Sequence, residues 1–194
     1  MARPALHSVD GMLDAARDLL LARGVEHTTV QAIAEACGAP VGSLYNRFGS
    51  RRELLAELWL RAAQRSQATC LPALAGADAV ESGLEVVRRL LAFTREQPED
   101  SRLLASFRRD DLMGELSPSL AQRLTTLNEP VEHALKQLSK RLYGSARAES
   151  VRRVRLALLE LPLAAVRSAL LAARPVPMDL DAHVLRGARA ILTD

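Results

Sequence analysis

The sequence predicts an all-α protein. Aromatic residues make up 3% of the 194 residues, whereas hydrophobic residues together make up 48%. The core must therefore consist mainly of leucine, alanine and valine, which are compatible with helices. Few segments show the alternation of apolar and polar residues that marks a half-buried strand. We expect about nine helices, in a chain long enough for one or two small domains.

The first predicted helix ends at Gly24. Its apolar residues recur at the spacing of one helical face: Met12, Ala16, Leu19 and Leu20. Apolar residues three and four positions apart indicate an amphipathic helix that packs on a core. A glycine directly after the last turn is a typical stop signal.

The second predicted helix lies between Thr28 and Gly38. Thr28 is expected to cap its start, with Gln31 reaching back in a capping box. An apolar stripe follows at positions i, i+3, i+4 and i+7: Val30, Ile33, Ala34 and Cys37. Gly38 suits the left-handed residue that often ends a helix.

The third predicted helix follows this glycine turn directly. Pro40 suits its first turn, because the missing N–H is not needed there. Leu44 and Phe48, four positions apart, give the helix an inward face. Small and hydrogen-bonding side chains lie elsewhere around it: Gly42, Ser43, Tyr45, Asn46 and Arg47. Such a pair of helices suits a protein that lays one helix in the major groove of DNA while the other braces it.

A fourth helix is predicted after Gly49. Ser50 and Glu53 form a second capping-box pattern, and we expect the helix to run to about Cys70. Further helices are predicted over residues 79–96, 97–107, 117–143, 145–173 and 179–192, with a short helix or turn around residues 112–116.

The run LDAARDLLLARG, followed by TTVQAIAEACGAPVGSLYNRFGSRRELLAELW, resembles the N-terminal domain of TetR-family transcriptional regulators. Its most specific part is Gly-x-x-x-Gly-Ser-Leu-Tyr-x-x-Phe, from Gly38 to Phe48. The resemblance implies a three-helix, helix-turn-helix DNA-binding domain over residues 5–65. A helical effector-binding and dimerisation domain would then cover residues 66–194.

The resemblance also implies which residues contact DNA: Thr29, Gln31, Val41, Gly42, Ser43, Tyr45, Asn46, Arg47 and Arg51. Asn46 and Arg47 carry donors and acceptors suited to base edges. Tyr45, Thr29 and Arg51 suit phosphate contacts. Family members often have Ser-Lys where this chain has Pro40-Val41, so Val41 is available for contact with a thymine methyl group.

The distribution of charge agrees with a DNA-binding site. The formal net charge is +3, but residues 39–65 hold five arginines against two glutamates. We therefore expect positive charge beside the third helix, where it would attract phosphates.

The last two predicted helices are candidates for a dimer interface. The segment from Leu156 to Val166 is apolar nearly all round, and such a helix is normally enclosed on every side. The last helix adds an apolar stripe: Leu180, Val184, Ala188 and Ile191. Together they would form half of a four-helix interface in a homodimer; the alternative is a fully intramolecular core. The longer apolar stretch LALLELPLAAVRSALLAA, residues 156–173, is interrupted by Glu160, Pro162 and Arg167, which argues against a membrane span.

A small-molecule effector is expected among the middle helices, as in relatives. The candidate lining residues are Trp59, Phe93, Phe107, Met113 and His133, each of which also fits plain core packing. Glu160 is a further candidate, because a carboxylate in an apolar segment needs a partner; we hypothesise that it borders the pocket or crosses the dimer seam. Few charges in this region favour a hydrophobic or cationic amphipathic effector.

Catalytic and metal sites are not predicted. Cys37 and Cys70 have no metal or disulfide spacing, the four histidines are scattered, and no nucleophile–base set or phosphate-binding glycine loop appears. We therefore expect no enzyme activity and no cofactor. Nothing resembles a signal peptide, and a cytoplasmic location is expected.

These observations favour a homodimeric repressor that binds a palindromic operator in double-stranded DNA and is released by an effector of unknown identity. The alternatives are a structural DNA-binding protein without an effector, and an activator or a regulator gated by a protein partner.

Overall fold

A computed structural model of the chain describes residues 8–107 and 115–194. Within these ranges every regular element is helical, which confirms the predicted fold class. The elements are α1 (Val9–Arg23), α2 (Val30–Cys37), α3 (Val41–Phe48), α4 (Arg51–Cys70), a 3-10 turn (Leu71–Ala75), α5 (Ala79–Glu96), α6 (Pro98–Ser106), α7 (Pro118–Thr126), α8 (Glu129–Tyr143), α9 (Ala148–Arg155), a π-helical segment (Leu156–Glu160), α10 (Leu161–Leu171) and α11 (Leu180–Thr193). Most of the helix or turn predicted around residues 112–116 lies outside the described residues.

Side-chain caps fix the starts of the first helices. The Ser8 hydroxyl accepts a hydrogen bond from the Gly11 N–H at 3.0 Å, and the Ser50 hydroxyl accepts one from the Glu53 N–H at 3.1 Å. These bonds satisfy N–H groups that would otherwise lack partners. Only half of the predicted Ser50–Glu53 box forms, because the Glu53 carboxylate instead accepts from the Ser117 N–H.

The cap of α2 differs from the prediction. Thr29, not Thr28, begins the helix, and its hydroxyl accepts from the Ala32 N–H at 3.1 Å. Thr28 is fully buried and donates its hydroxyl to the Gly24 carbonyl at 2.7 Å. Gln31 bonds to Glu35 one turn ahead rather than reaching back. The predicted capping box therefore shifts by one residue and loses its second half.

Two hydrophobic clusters make up the core. The first joins α1 to α4 around Ile33, Leu44 and Leu58 and also receives Leu103 from α6 and Leu124 from α7. Helix α9, the π-helical segment and α10 form one continuous rod, called here the α9–α10 rod. The second cluster joins α5, α8, this rod and α11 around residues that are almost completely buried: Leu84, Leu91, Leu135, Leu138 and Leu158. Helix α4 contributes to both clusters, so the division expected between residues 65 and 66 falls inside a continuous helix.

Two prolines account for the irregularities in the two long helices predicted over residues 117–143 and 145–173. The helix predicted over residues 117–143 is broken at Leu127 and Asn128, because Pro130 lies in the first turn of α8 and has no N–H to donate backwards. In the next rod, Pro162 opens α10, and the Leu161 N–H bonds to the Leu156 carbonyl in the wider π-helical turn. None of the described helices is both long enough and apolar enough to cross a membrane.

Candidate nucleic-acid interface and effector cavity

The turn between α2 and α3 depends on Gly38. This residue adopts a left-handed conformation (φ 68°, ψ 18°), which costs glycine little and other residues more. The Ala39 N–H then bonds to the Ala34 carbonyl at 2.9 Å and closes α2. Pro40 is extended at the start of α3, and its carbonyl accepts from the Ser43 N–H at 2.9 Å. The predicted glycine turn is thus present.

The inward face of α3 is fixed in the core. Leu44 and Phe48, one turn apart, are both buried among the side chains of α1, α2 and α4. Two buried anchors on a helix of eight residues set its rotation, because turning the helix would expose an apolar side chain to water. The orientation of the opposite face follows from these anchors.

The opposite face of α3 is open to solvent. Its exposed residues are Val41, Gly42, Tyr45, Asn46 and Arg47, whereas Ser43 is half-buried. Tyr45 is 51% exposed, so its ring and hydroxyl are accessible. A Cβ atom at Gly42 would meet no atom within 4 Å, so the backbone there is bare. A bare backbone flanked by polar side chains permits close approach of a second molecule.

The bracing helix presents Thr29 and Gln31 at its start, and both are exposed. The Thr29 oxygen already accepts the capping hydrogen bond, but its hydroxyl proton remains available to a phosphate oxygen. The first N–H groups of a helix also favour an anion there. Both residues therefore occupy positions compatible with the predicted backbone contact.

Arg51 serves an intramolecular role in the unbound chain. Its Nε donates to the Thr28 carbonyl at 2.6 Å, and Nη2 donates to the Val25 carbonyl. These bonds tie the start of α4 to the turn between α1 and α2. Its predicted phosphate contact stays a prediction, and the neighbouring Arg52 is the more exposed cation.

Ion pairs take up part of the charge in residues 39–65. Arg61 bonds to Asp10 at 2.9 Å and to Asp14 at 2.7 Å, and Arg65 bonds to Asp100 at 3.1 Å. These pairs neutralise two of the five arginines in residues 39–65, which leaves Arg47, Arg51 and Arg52 near the interface. The acidic partners of Arg61 and Arg65 are remote in sequence, and Glu57 is itself paired with Arg123, so the expected positive charge beside α3 stays a prediction.

The same ion pairs join three helices. The Asp100 side chain on α6 is completely buried and accepts from Arg17 on α1 at 3.4 Å and from Arg65 on α4 at 3.1 Å. Burial by itself would lower the pKa of Arg17, but its hydrogen bond to Asp18 and the charges of Asp18 and Asp14 raise it overall. Arg17 therefore stays charged, and α6 is attached to the helix-turn-helix unit.

A cavity of about 280 Å³ lies among α4, α5, α6, α8 and α10. Apolar side chains dominate its wall, with a few hydroxyl and amide groups and one arginine. The lining residues are Ala63, Ser66, Gln67, Leu90, Phe93, Thr94, Ser101, Leu104, Ala105, Asn128, Val131, Leu159, Leu163, Arg167 and Leu170. A second, narrower pocket of about 70 Å³ shares five of these residues. Cys70 borders the narrower pocket, and burial raises the pKa of its thiol to about 11.

The structure brings only part of the predicted effector set to this cavity. Phe93 lines it. The Trp59 indole bonds to the Phe107 carbonyl at 3.1 Å, and both rings pack on the first core cluster instead. His133 is exposed beside Gln137. Glu160 is exposed and borders a separate, open surface pocket of about 700 Å³ together with Arg152 and Arg153, and Met113 lies outside the described residues.

Sequence reasoning missed Ser101, Leu159 and Arg167 as cavity residues. Arg167 was visible as the one cation in the apolar run LPLAAVRSALL, but it was read only as a break in that run. A charged residue inside an otherwise apolar helix, such as Arg167, is the sequence signal that points to a polar ligand group or a cavity.

The family described as bacterial regulatory proteins, tetR family, matches residues 12–58, which span α1, α2, α3 and the first turns of α4. The HTH-type transcriptional regulator AlkX of Mycobacterium tuberculosis is 34% identical over 125 residues. Residues 12–58 therefore form a domain of the TetR-family type. The aligned part is 63% of this chain and 55% of AlkX, so the match spans about half the length of that relative.

Solved structures of TetR-family regulators share the whole fold. PfmR of Thermus thermophilus superposes with a TM-score of 0.72 at 23% identity, over 95% of each chain. FadR of Bacillus subtilis, solved in complex with stearoyl-CoA, superposes with a TM-score of 0.67 at 17% identity, over 96% of this chain and 98% of FadR. At these identities the similarity concerns the architecture, including the helical second half of the TetR fold.

Proposed function

We propose that this chain is a TetR-family regulator and acts as a homodimeric repressor that leaves a palindromic operator when a small molecule occupies its cavity. The observation that carries the proposal is a polar, exposed α3 held by two buried anchors, in a chain whose cavity wall is attached to α1. Residues 5–65 would read DNA, and residues 66–194 would dimerise and sense the effector. Such a regulator acts on chromosomal DNA in the cytoplasm.

Each subunit would place α3 in a major groove. Asn46 and Arg47 would reach base edges, where amide and guanidinium groups form paired hydrogen bonds. Tyr45, with Thr29 and Gln31 on α2, would contact the phosphate backbone and fix the register. Gly42 would let the α3 backbone approach the groove closely, and Val41 and Ser43 would complete the contact surface.

The dimer would form through the α9–α10 rod and α11. Leu156, Leu163 and Leu171 are 43%, 47% and 49% exposed along this rod. Apolar side chains of that size favour burial by a second molecule. Packing the rod and α11 against their symmetry mates gives a four-helix interface and a fixed distance between the two α3 helices. Glu160 would then lie at the seam between Leu156 and Leu163.

The effector would act through α6. Ser101, Leu104 and Ala105 of this helix line the cavity, and Asp100, directly before Ser101, holds Arg17 of α1. A ligand that displaces α6 would therefore disturb the position of the DNA-reading unit. Release requires that the ligand bind the form incompatible with the operator more tightly than the DNA-bound form. FadR, which shares this fold, was solved in complex with stearoyl-CoA, and this supports a small-molecule effector for the present chain.

The test uses the purified full-length chain and duplex DNA from its own upstream region. Size-exclusion chromatography with light scattering should give a dimer, and footprinting should show one protected palindrome. Tyr45→Ala should weaken binding to all sequences by similar factors, whereas Asn46→Ala should reduce the preference for the operator over mismatched sites by about tenfold or more. A monomer that protects no site would contradict the proposal. So would an unchanged footprint in a variant that carries both Tyr45→Ala and Asn46→Ala.

A further inference from the structure

The cavity has one charged side chain in its wall. Arg167 on α10 lines the larger cavity, and neither the larger cavity nor the narrower pocket is lined by an aspartate or glutamate. Within the described residues no carboxylate forms an ion pair with Arg167. Arg167, Leu163 and Asn128 are exposed in the single subunit, so the mouth of the cavity opens beside the proposed dimer seam at Leu163. The electrostatic preference at the mouth is therefore for an anion.

A second observation points to a polar ligand group. Ser101 on α6 is only 5% exposed, and its hydroxyl has no hydrogen-bond partner among the described residues. A buried hydroxyl without a partner is costly and calls for an acceptor. Because α6 packs against α10, a head group held between the two helices would meet both this hydroxyl and the guanidinium.

The rest of the wall suits a slim apolar tail. Away from Arg167, the cavity is bounded by Leu90, Val131 and Leu159, which also border the narrower pocket. That pocket extends between α5 and α8, towards Leu74 and Leu135, and is almost entirely apolar. A cavity of about 280 Å³ lies just below the usual size of ligand sites, which favours a slim ligand over a bulky ring system.

We infer that this cavity binds an anionic amphiphile with a medium-length, unbranched tail. Its anionic head lies at Arg167 and Ser101, and its tail runs towards the narrower pocket; the inference rests on the proposed effector function of this cavity. It replaces the expectation of a cationic effector, since a cation needs a carboxylate or an aromatic cage, and Phe93 is the one aromatic ring in the wall among the described residues. A free fatty acid and an acyl-coenzyme A share this chemistry.

The experiment compares probes that share one tail and differ in the head. Decanoate, decanoyl-coenzyme A, decan-1-ol and decyltrimethylammonium are titrated into the full-length dimer by calorimetry. We expect a decanoyl compound to bind most tightly, decanol more weakly, and decyltrimethylammonium not at all. Tighter binding of decanoate identifies a carboxylate as the head, and tighter binding of decanoyl-coenzyme A identifies the nucleotide-linked acyl group.

Variants then locate the head group. Arg167→Met should weaken binding of the preferred anion about tenfold and leave decanol within about twofold, because only the charge-assisted hydrogen bond is lost. Ser101→Ala should weaken the anion about threefold. Arg174→Met is the matched control, since Arg174 is an exposed arginine that borders a different surface pocket; this variant should bind all four probes as the parent does.

The outcomes separate this inference from the proposed repressor function. Equal affinity for decanoate and decyltrimethylammonium, or an Arg167→Met variant that binds the anion normally, overturns the inference. If the protein binds its operator but none of the four probes, the inference fails and the DNA-binding function stands. If the anion binds selectively but no duplex is bound, the ligand class is supported and the repressor function fails.

Discussion

Asp100 on α6 accepts a hydrogen bond from Arg17 on α1, across 83 positions of the chain, and its side chain is completely buried. The next residue, Ser101, lies in the cavity wall. One turn of helix therefore carries a contact to the DNA-reading unit and a contact to the cavity. Displacement of α6 by a ligand cannot leave this ion pair unchanged.

Asp100→Asn should destabilise the protein by about 2 kcal/mol, because it leaves Arg17 and Arg65 facing a buried group without charge. The control is Asp18→Asn, which removes an exposed partner of the same arginine and should cost less than about 0.5 kcal/mol. Urea unfolding of the two variants measures the difference. Equal unfolding midpoints would show that the buried ion pair contributes little.

Arg51→Ala should lower both stability and DNA affinity. The substitution removes two hydrogen bonds to the Thr28 and Val25 carbonyls, which should cost about 1–2 kcal/mol. Arg52→Ala, at the exposed neighbouring position, should leave the urea midpoint unchanged and reduce only the salt dependence of DNA binding. If Arg51→Ala lowers DNA affinity at unchanged stability, Arg51 acts directly on phosphate.

Replacement by alanine should change the stability in opposite directions at Gly38 and Gly42, which lie four positions apart. Gly42→Ala should raise stability by about 0.5–1 kcal/mol, since it fills open space on a helix, yet weaken operator binding. Gly38→Ala should instead lower stability by about 1 kcal/mol, because alanine is strained at a φ of 68°. Thermal unfolding and DNA titration check both. Unchanged affinity in Gly42→Ala would exclude close contact of α3 with the groove.

The hydrogen bond from the Ser117 N–H to Glu53 should make stability depend on pH. The Ser117 side-chain hydroxyl, and then its N–H, lower the pKa of Glu53 in the folded chain. The stabilisation is therefore complete above the ordinary glutamate pKa of about 4.3 and is lost as the pH falls through the lower folded value.

Glu53→Gln should remove that part of the acid loss of stability, as urea unfolding at a series of pH values would show. Ser117→Pro removes both the hydroxyl and the N–H and keeps Glu53; it is compatible with the backbone there, where φ is −58°. Both variants should have the same, shallower acid slope. A steep slope that persists in Ser117→Pro would assign the effect to other carboxylates.

Local signals in the sequence were sufficient for most helices. The glycine turn at Gly38, the anchors Leu44 and Phe48 and the cap at Ser50 all depend on residues within one or two turns of each other. The cap at Thr29 was misplaced by one position because Thr28 and Thr29 are equally able to cap, and only the buried bond of Thr28 to Gly24 decides between them.

The features of the site that the sequence did not predict are contacts between remote residues. Arg61 bonds to Asp10 and Asp14, 51 and 47 positions away, and Arg51 bonds to carbonyls 23 and 26 positions away. A count of charges along the chain cannot include such pairs. The cavity is still less visible in sequence, since its wall combines residues from five helices, and a bulky side chain such as Trp59 fills core rather than lining space.

Helix α4 runs without interruption from Arg51 to Cys70, about 30 Å, and packs in both hydrophobic clusters. A chimaera that grafts a foreign sensing half at residue 65 would cut this rod in mid-turn and mismatch two packed surfaces at once. Exchange of modules between regulators of this kind should instead splice after the 3-10 turn that ends at Ala75, and the grafted half must keep an acidic partner for Arg17 in the place of Asp100.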